Sequence, residues 1–236
     1  MDLSNYIKRQ ARALPVFLLV DVSGSMSGSK IGTVNVAIKE MLSTFRGIEN
    51  PKGIIKLSII TFGNGKVNIL KPLLEITEAD AYTLNADGDT PMGMGLDAVR
   101  EQINDKNVVS SRDYTPTIVL ISDGLPTDFP EYHQGMSTQD VIGSWENMRN
   151  LLSEESRASK SVRLAMGIGD DADEGILKAF INNGEIPVVH ANDNATISNF
   201  FKWVTMSVST RSVSTDPGKA DTSDIKYCFD ADSLKF

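Results

Sequence analysis

Cysteine is almost missing from this chain of 236 residues: Cys228 stands alone. One thiol excludes an intramolecular disulfide and a zinc cluster of the cysteine type, and it suits a reducing compartment. Histidine is nearly as scarce, at His133 and His190. Neither has a serine or cysteine partner at motif spacing, so no nucleophilic catalysis is assigned. Cations are outnumbered, 23 Lys and Arg against 31 Asp and Glu, which argues against a nucleic-acid groove with its need for concentrated positive charge. Long apolar runs are lacking too. The longest early one, Leu14 to Val20, is far too short to span a bilayer, and the first ten residues hold no signal-peptide core. The expectation is a soluble, cytoplasmic protein with neither nucleic-acid nor membrane partners.

What is present suits one α/β domain. Hydrophobic residues make up 41% of the chain, enough to bury a sizeable core. Residues 1–13 read as a polar, basic lead-in, 14–209 as the folded domain, and 210–236 as a polar linker and tail. Within that tail, Ile225 to Phe229 is a short strand or a contact peptide. Apolar, β-branched runs predict strands at Val16–Val22, Ile54–Phe62, Thr117–Ser122 and Val162–Ile168. Gly63-Asn64-Gly65 turns the second into a short antiparallel partner over Lys66–Leu70. Ile186–His190 reads as an edge strand because of Pro187.

Between these runs the periodicity is helical. Ile31, Val34, Ile38, Met41, Leu42 and Phe45 share one stripe, ended by Gly47 and the Asn50-Pro51-Lys52-Gly53 turn. Met92, Leu96, Val99 and Ile103 form another after Pro91, with Met92 and Met94 read as core packing. Further helices are expected over Thr138–Ser156, over Asp173–Asn182 with Asp173 as N-cap, and over Thr196–Ser209. Strand and helix alternate around one early hairpin. That pattern implies a Rossmann-like, doubly wound, mostly parallel sheet with one antiparallel edge strand and helices on both faces.

Three loops carry oxygen chemistry. The first, Asp21-Val-Ser-Gly-Ser-Met26, follows the first strand and offers a carboxylate and two hydroxyls at alternate positions. The second offers Thr90, and the third offers Asp123 at the end of the fourth predicted strand. Hard divalent cations prefer such ligands, and open α/β sheets bind at the carboxyl ends of their strands. Each residue has a plainer reading. Asp21, Ser23 and Thr90 are good helix caps, and Asp123-Gly124 is a good turn. Their joint placement on one rim favours a metal site.

Asp21-x-Ser23-x-Ser25, Thr90 and Asp123-Gly124 together resemble the metal-ion-dependent adhesion site of von Willebrand factor A domains. The resemblance spans about Leu14 to Ser209. Leu14–Gly28 and Ser122–Asp128 look closest to the bacterial TerY-like branch, associated with tellurite resistance and stress operons. The resemblance implies Mg2+, alternatively Mn2+ or Ca2+, with Ser23, Ser25 and Thr90 as direct ligands and Asp21 and Asp123 acting mainly through water. It also implies a protein partner that completes the metal with an Asp or Glu. A kinase and a PP2C-type phosphatase are expected among the partners of TerY-like proteins. Asp89 departs from the family's usual glycine, and Asp89, Asp128 and Tyr132 are candidate partner contacts.

The expected function is therefore a non-enzymatic interaction module, an adaptor in a stress- or phosphorylation-linked system. The alternative is a Mg2+-dependent phosphatase or phosphotransferase with Asp21 as nucleophile. It lacks an acid two positions on, where Ser23 stands, and no lysine is placed near the third loop. A third reading is an assembly subunit. The acidic run Asp170, Asp171, Asp173 and Glu174 lacks Ca2+-loop spacing and reads as a solvated helix start.

Overall fold

A computed structural model describes residues 12–48, 53–77, 80, 82–170 and 172–215. Most of the lead-in, the Asn50-Pro51-Lys52 turn, Asp171 and the tail from 216 onward lie outside the described residues, including Ile225–Phe229 and Cys228.

Six strands form one sheet: β1 (Ala13–Asp21), β2 (Ile54–Gly63), β3 (Lys66–Glu75), β4 (Thr117–Ser122), β5 (Val162–Ile168) and β6 (Val189–Ala191). Their order is β3-β2-β1-β4-β5-β6, parallel throughout except for β3, which runs antiparallel to β2 at one edge. β1 is buried along its whole length at the centre. A strand covered on both faces has no use for alternation, which explains the unbroken apolar run Val16–Val20.

Among the described residues six helices cover the sheet. α1 (Ser29–Arg46) packs with α6 (Asn194–Val213), α2 (Met92–Asn104) with α4 (Glu146–Leu152), and α3 (Thr138–Ser144) with α5 (Glu174–Ile181). All six apolar positions of the α1 stripe are buried, as are Met92, Leu96, Val99 and Ile103 of α2. The expected doubly wound α/β architecture with one antiparallel edge strand is the one observed. Among the described residues no helix is long and apolar enough to cross a membrane.

Four local expectations differ from the structure. β3 continues past Leu70 and through Pro72 to Glu75. Proline survives there because β3 is an edge strand whose register slips twice against β2, between Leu57 and Ile59 and between Ile59 and Ile60. The single helix expected over Thr138–Ser156 is broken at Trp145, whose backbone is extended at φ −83° and ψ 107°. Its buried indole stacks on Phe129, with centroids 4.9 Å apart and planes 2° apart. The Phe129–Ser137 insertion thus folds back onto the core, carrying Phe129 and Met136 inside. Met94 is the third difference, being exposed rather than packed. Finally, the last strand begins at Val189 instead of Ile186, though its edge position is as expected.

Candidate metal centre

β1 and β4 are neighbours in the sheet, yet their chains leave in opposite directions, β1 towards β2 and β4 towards β5. This divergence opens a crevice at their carboxyl ends, the usual ligand position of a doubly wound sheet. Asp21 is the last residue of β1, and Asp123 directly follows β4.

Backbone bonds draw the loops together. Val22 N donates to Phe62 O at 2.9 Å, Gly24 N to Gly88 O at 2.8 Å, and Asp87 N to Val22 O at 2.8 Å. On the far side Thr127 N donates to Thr90 O at 2.9 Å. Gly88 sits at φ 70°, and a Cβ there would lie 2.6 Å from Asn64 Cα, so only glycine allows the Thr90 loop to approach the β2–β3 turn this closely.

Asp21, Ser23, Thr90 and Asp123 are buried, while Ser25 is exposed at the lip. Asp21 Oδ1 accepts from Ser23 N at 2.8 Å, and Oδ2 accepts from Ser122 Oγ at 2.5 Å. Ser23 Oγ and Ser25 Oγ lie 3.1 Å apart, and Ser25 Oγ donates to Asp123 Oδ1 at 2.7 Å. Burial pushes the Asp21 carboxyl above its ordinary value. The bonds from Ser122 and Ser23 oppose that shift, and the nearby Asp123 charge adds to it.

Gly124 tests whether the loops meet. A Cβ built on it would lie 3.3 Å from Thr90 Oγ1, 3.6 Å from Ser25 Oγ and 3.9 Å from Asp21 Oδ2. One oxygen from each of the first two loops, with the Asp21 carboxylate, therefore faces a single small space that a larger residue would fill. Nor are these hydroxyls spent as caps. Ser23 caps no backbone group of the short 3-10 turn Gly24–Met26. The start of α2 is capped by Asp128, whose Oδ1 and Oδ2 accept from Gly93 N at 3.0 Å and Met94 N at 2.9 Å. Three neutral oxygens and two carboxylates suit a small hard cation. Among the described residues no group of three or more His, Cys, Asp or Glu is arranged to hold an ion, so an ion here would rely on hydroxyl oxygens beside the two carboxylates.

The other candidate contacts have structural partners. Asp89 is exposed, and its carboxylate accepts from Gly65 N, tying the second loop to the β2–β3 turn. Tyr132 packs on Phe129 with centroids 5.8 Å apart, and burial, with the Asp173 carboxylate beside it, pushes its phenol up. Asp173 is the α5 N-cap as expected, accepting from Ile176 N at 3.1 Å. Asp170 accepts from Asn192 Nδ2 at 2.9 Å.

One charged group escaped the sequence reading. Lys30 Nζ lies 2.5 Å from Asp123 Oδ2, so the third loop does have a lysine beside it. It comes from the first turn of α1, ninety-three positions away in sequence. The signal available was its place just after the first loop, where an ordinary helix-surface lysine would look the same. Two exposed apolar side chains also stand near this rim, Met94 in the first turn of α2 at 47% exposure and Leu125 on the third loop at 38%.

Residues 16–125 match the profile of the von Willebrand factor type A domain. A comparison with curated proteins gives no match. Among solved structures, a von Willebrand factor type A protein from Catenulispora acidiphila is 17% identical at TM-score 0.61, over 83% of this chain and 42% of that one. The pilus adhesin SpaC from Lactobacillus rhamnosus GG, in its open conformation, is 15% identical at TM-score 0.63, over 86% and 31%. The manganese-loaded TRAP protein of Plasmodium vivax is 17% identical at TM-score 0.52, over 80% and 72%. At such identities the likeness is one of fold. The chain spans less than half the length of the first two.

Proposed function

We propose that this chain is a von Willebrand factor type A domain and serves as a metal-dependent protein-interaction module. Such domains serve generally in interaction and adhesion. The observation that carries the reading is the meeting of Thr90 Oγ1, Ser25 Oγ and Asp21 Oδ2 around Gly124. Ser23, Ser25 and Thr90 would hold the ion directly, with Asp21 and Asp123 orienting hydroxyls and waters around it. A bound Mg2+, or alternatively Mn2+ or Ca2+, supplies a Lewis-acidic position open to one more anionic oxygen. A partner's Asp or Glu is that oxygen. The manganese held by the TRAP relative agrees with this choice of ion class.

We also propose, on the resemblance of Leu14–Gly28 and Ser122–Asp128 to the TerY-like branch, an adaptor role in a bacterial stress or phosphorylation system. Its partners would include a kinase and a PP2C-type phosphatase.

Lys30 beside Asp123 revives one element of the phosphatase alternative, since a cation there would attract a phosphate. Against it stands Asp21, which is fully buried with both carboxylate oxygens engaged. A nucleophile must reach its substrate, and Ser23 cannot act as the missing acid. Turnover of a phosphomonoester that is lost in Asp21→Asn would support the alternative.

The interaction reading is tested by affinity capture from the native source with Mg2+ or with EDTA, using wild type and Ser23→Ala. The expected result is a partner retained only by wild type with Mg2+. Equal retention in EDTA, or by Ser23→Ala, contradicts it.

A further inference from the structure

Lys30 is the rim charge that the three-loop pattern leaves out. It occupies the first turn of an 18-residue helix whose first turn contains no acidic residue. A cation is unfavourable there, because the helix dipole already places positive potential at that end. Its ammonium nevertheless donates to Asp123 Oδ2 at 2.5 Å, while Ser25 Oγ donates to Oδ1. The Asp123 side chain is fully buried and the Lys30 side chain is 34% exposed. A buried carboxylate needs a counter-charge, and of the two partners only the lysine has a path to water. Lys30 also reaches across to the end of β5, where a Cβ on Gly169 would lie 3.5 Å from Nζ.

Resting on the metal-dependent reading above, we propose that Lys30 is the resident counter-cation of this rim and competes with a divalent metal for Asp123. Asp21, Asp123 and Lys30 together carry one net negative charge, and without the ammonium they carry two. An ion held by the hydroxyls of Ser23 and Ser25 would share the one buried Asp123 carboxylate with the ammonium, and the two like charges repel. Metal entry therefore displaces Lys30 from Asp123 towards solvent. The consequence is a site that holds metal weakly alone and more firmly once a partner carboxylate adds its own negative charge.

Titration calorimetry with Mn2+ on wild type, Lys30→Met and Lys30→Arg tests this, with thermal unfolding of each in EDTA. The expected result is Mn2+ binding at least about tenfold tighter in Lys30→Met, with Lys30→Arg within about threefold of wild type. In EDTA, Lys30→Met melts below wild type, because buried Asp123 has lost its counter-charge. Lys30→Gln carries the same expectations should the methionine variant fail to fold. Equal affinity in all three proteins, or weaker binding in Lys30→Met, overturns the competition and leaves the metal reading standing. Absence of Mn2+ binding in all three overturns both.

Discussion

Asp21 concentrates the conflict from which the rim is built. A carboxylate at the end of a buried strand is expensive to ionise, and its hydrogen bonds from Ser23 and Ser122 only partly offset the burial. Asp21→Asn keeps the shape and removes the charge. Its expected effect is loss of Mn2+ binding by calorimetry, with the metal-free melting temperature equal to or above that of wild type. A large fall in metal-free stability would mean that the carboxylate's role is structural. Away from the site, Lys71 and Asp80 form a 3.0 Å pair that joins β3 to the loop before Thr90. Burial alone would raise Asp80, but Thr77 N, the Lys71 ammonium and the Tyr82 hydroxyl outweigh it and hold the carboxyl below its ordinary value of 3.8. A depressed carboxylate stabilises the fold above its unfolded value, and that contribution is lost as pH falls through the lower folded one. Melting temperature measured from pH 6 downward should fall through this range in wild type and fall less steeply in Asp80→Asn. At neutral pH that variant should lose about 3 kcal/mol by leaving buried Lys71 without its carboxylate.

At the scale of elements, the rim depends on how helices and loops begin. Asp128 shows this: two backbone N–H groups at the start of α2 end on its carboxylate, which frees Thr90 from capping. Asp128→Ala should cost about 1 kcal/mol, or about 2–4 °C in melting temperature. Mn2+ affinity should weaken as well, since Thr127 and Asp128 together hold the Thr90 loop in place. Strands and stripes were legible because burial marks the sequence: β4 and β5, unbroken apolar runs, match their predicted bounds, and the α1 stripe, at helical period, is buried in full. The break at Trp145 was not legible, because a stacking partner in the insertion, Phe129, decides it. β3 beyond Pro72 was hidden for a similar reason, since only an edge position with slipped register tolerates the proline. The three loops could be placed on one rim because Asp21 and Asp123 each end a predicted strand and Thr90 precedes a predicted helix. Lys30 could not, because a lysine in a first helical turn looks in the sequence like any helix-surface lysine.

For the molecule as a whole, sheet order is what turns three separate capping-type sequences into one space. Were β1 and β4 not adjacent and divergent, Asp21 and Asp123 would face different loops. Met94, in the first turn of α2, and Leu125, on the third loop, leave exposed apolar surface beside that space. The proposed role of these hydroxyls is to hold a divalent ion. Its most direct test is Mn2+ binding followed by electron paramagnetic resonance, on wild type and on the Ser23→Ala, Ser25→Ala double variant. One bound ion per chain is expected in wild type and loss of that ion in the double variant, with its circular dichroism unchanged. Undiminished Mn2+ binding by the correctly folded double variant would contradict it.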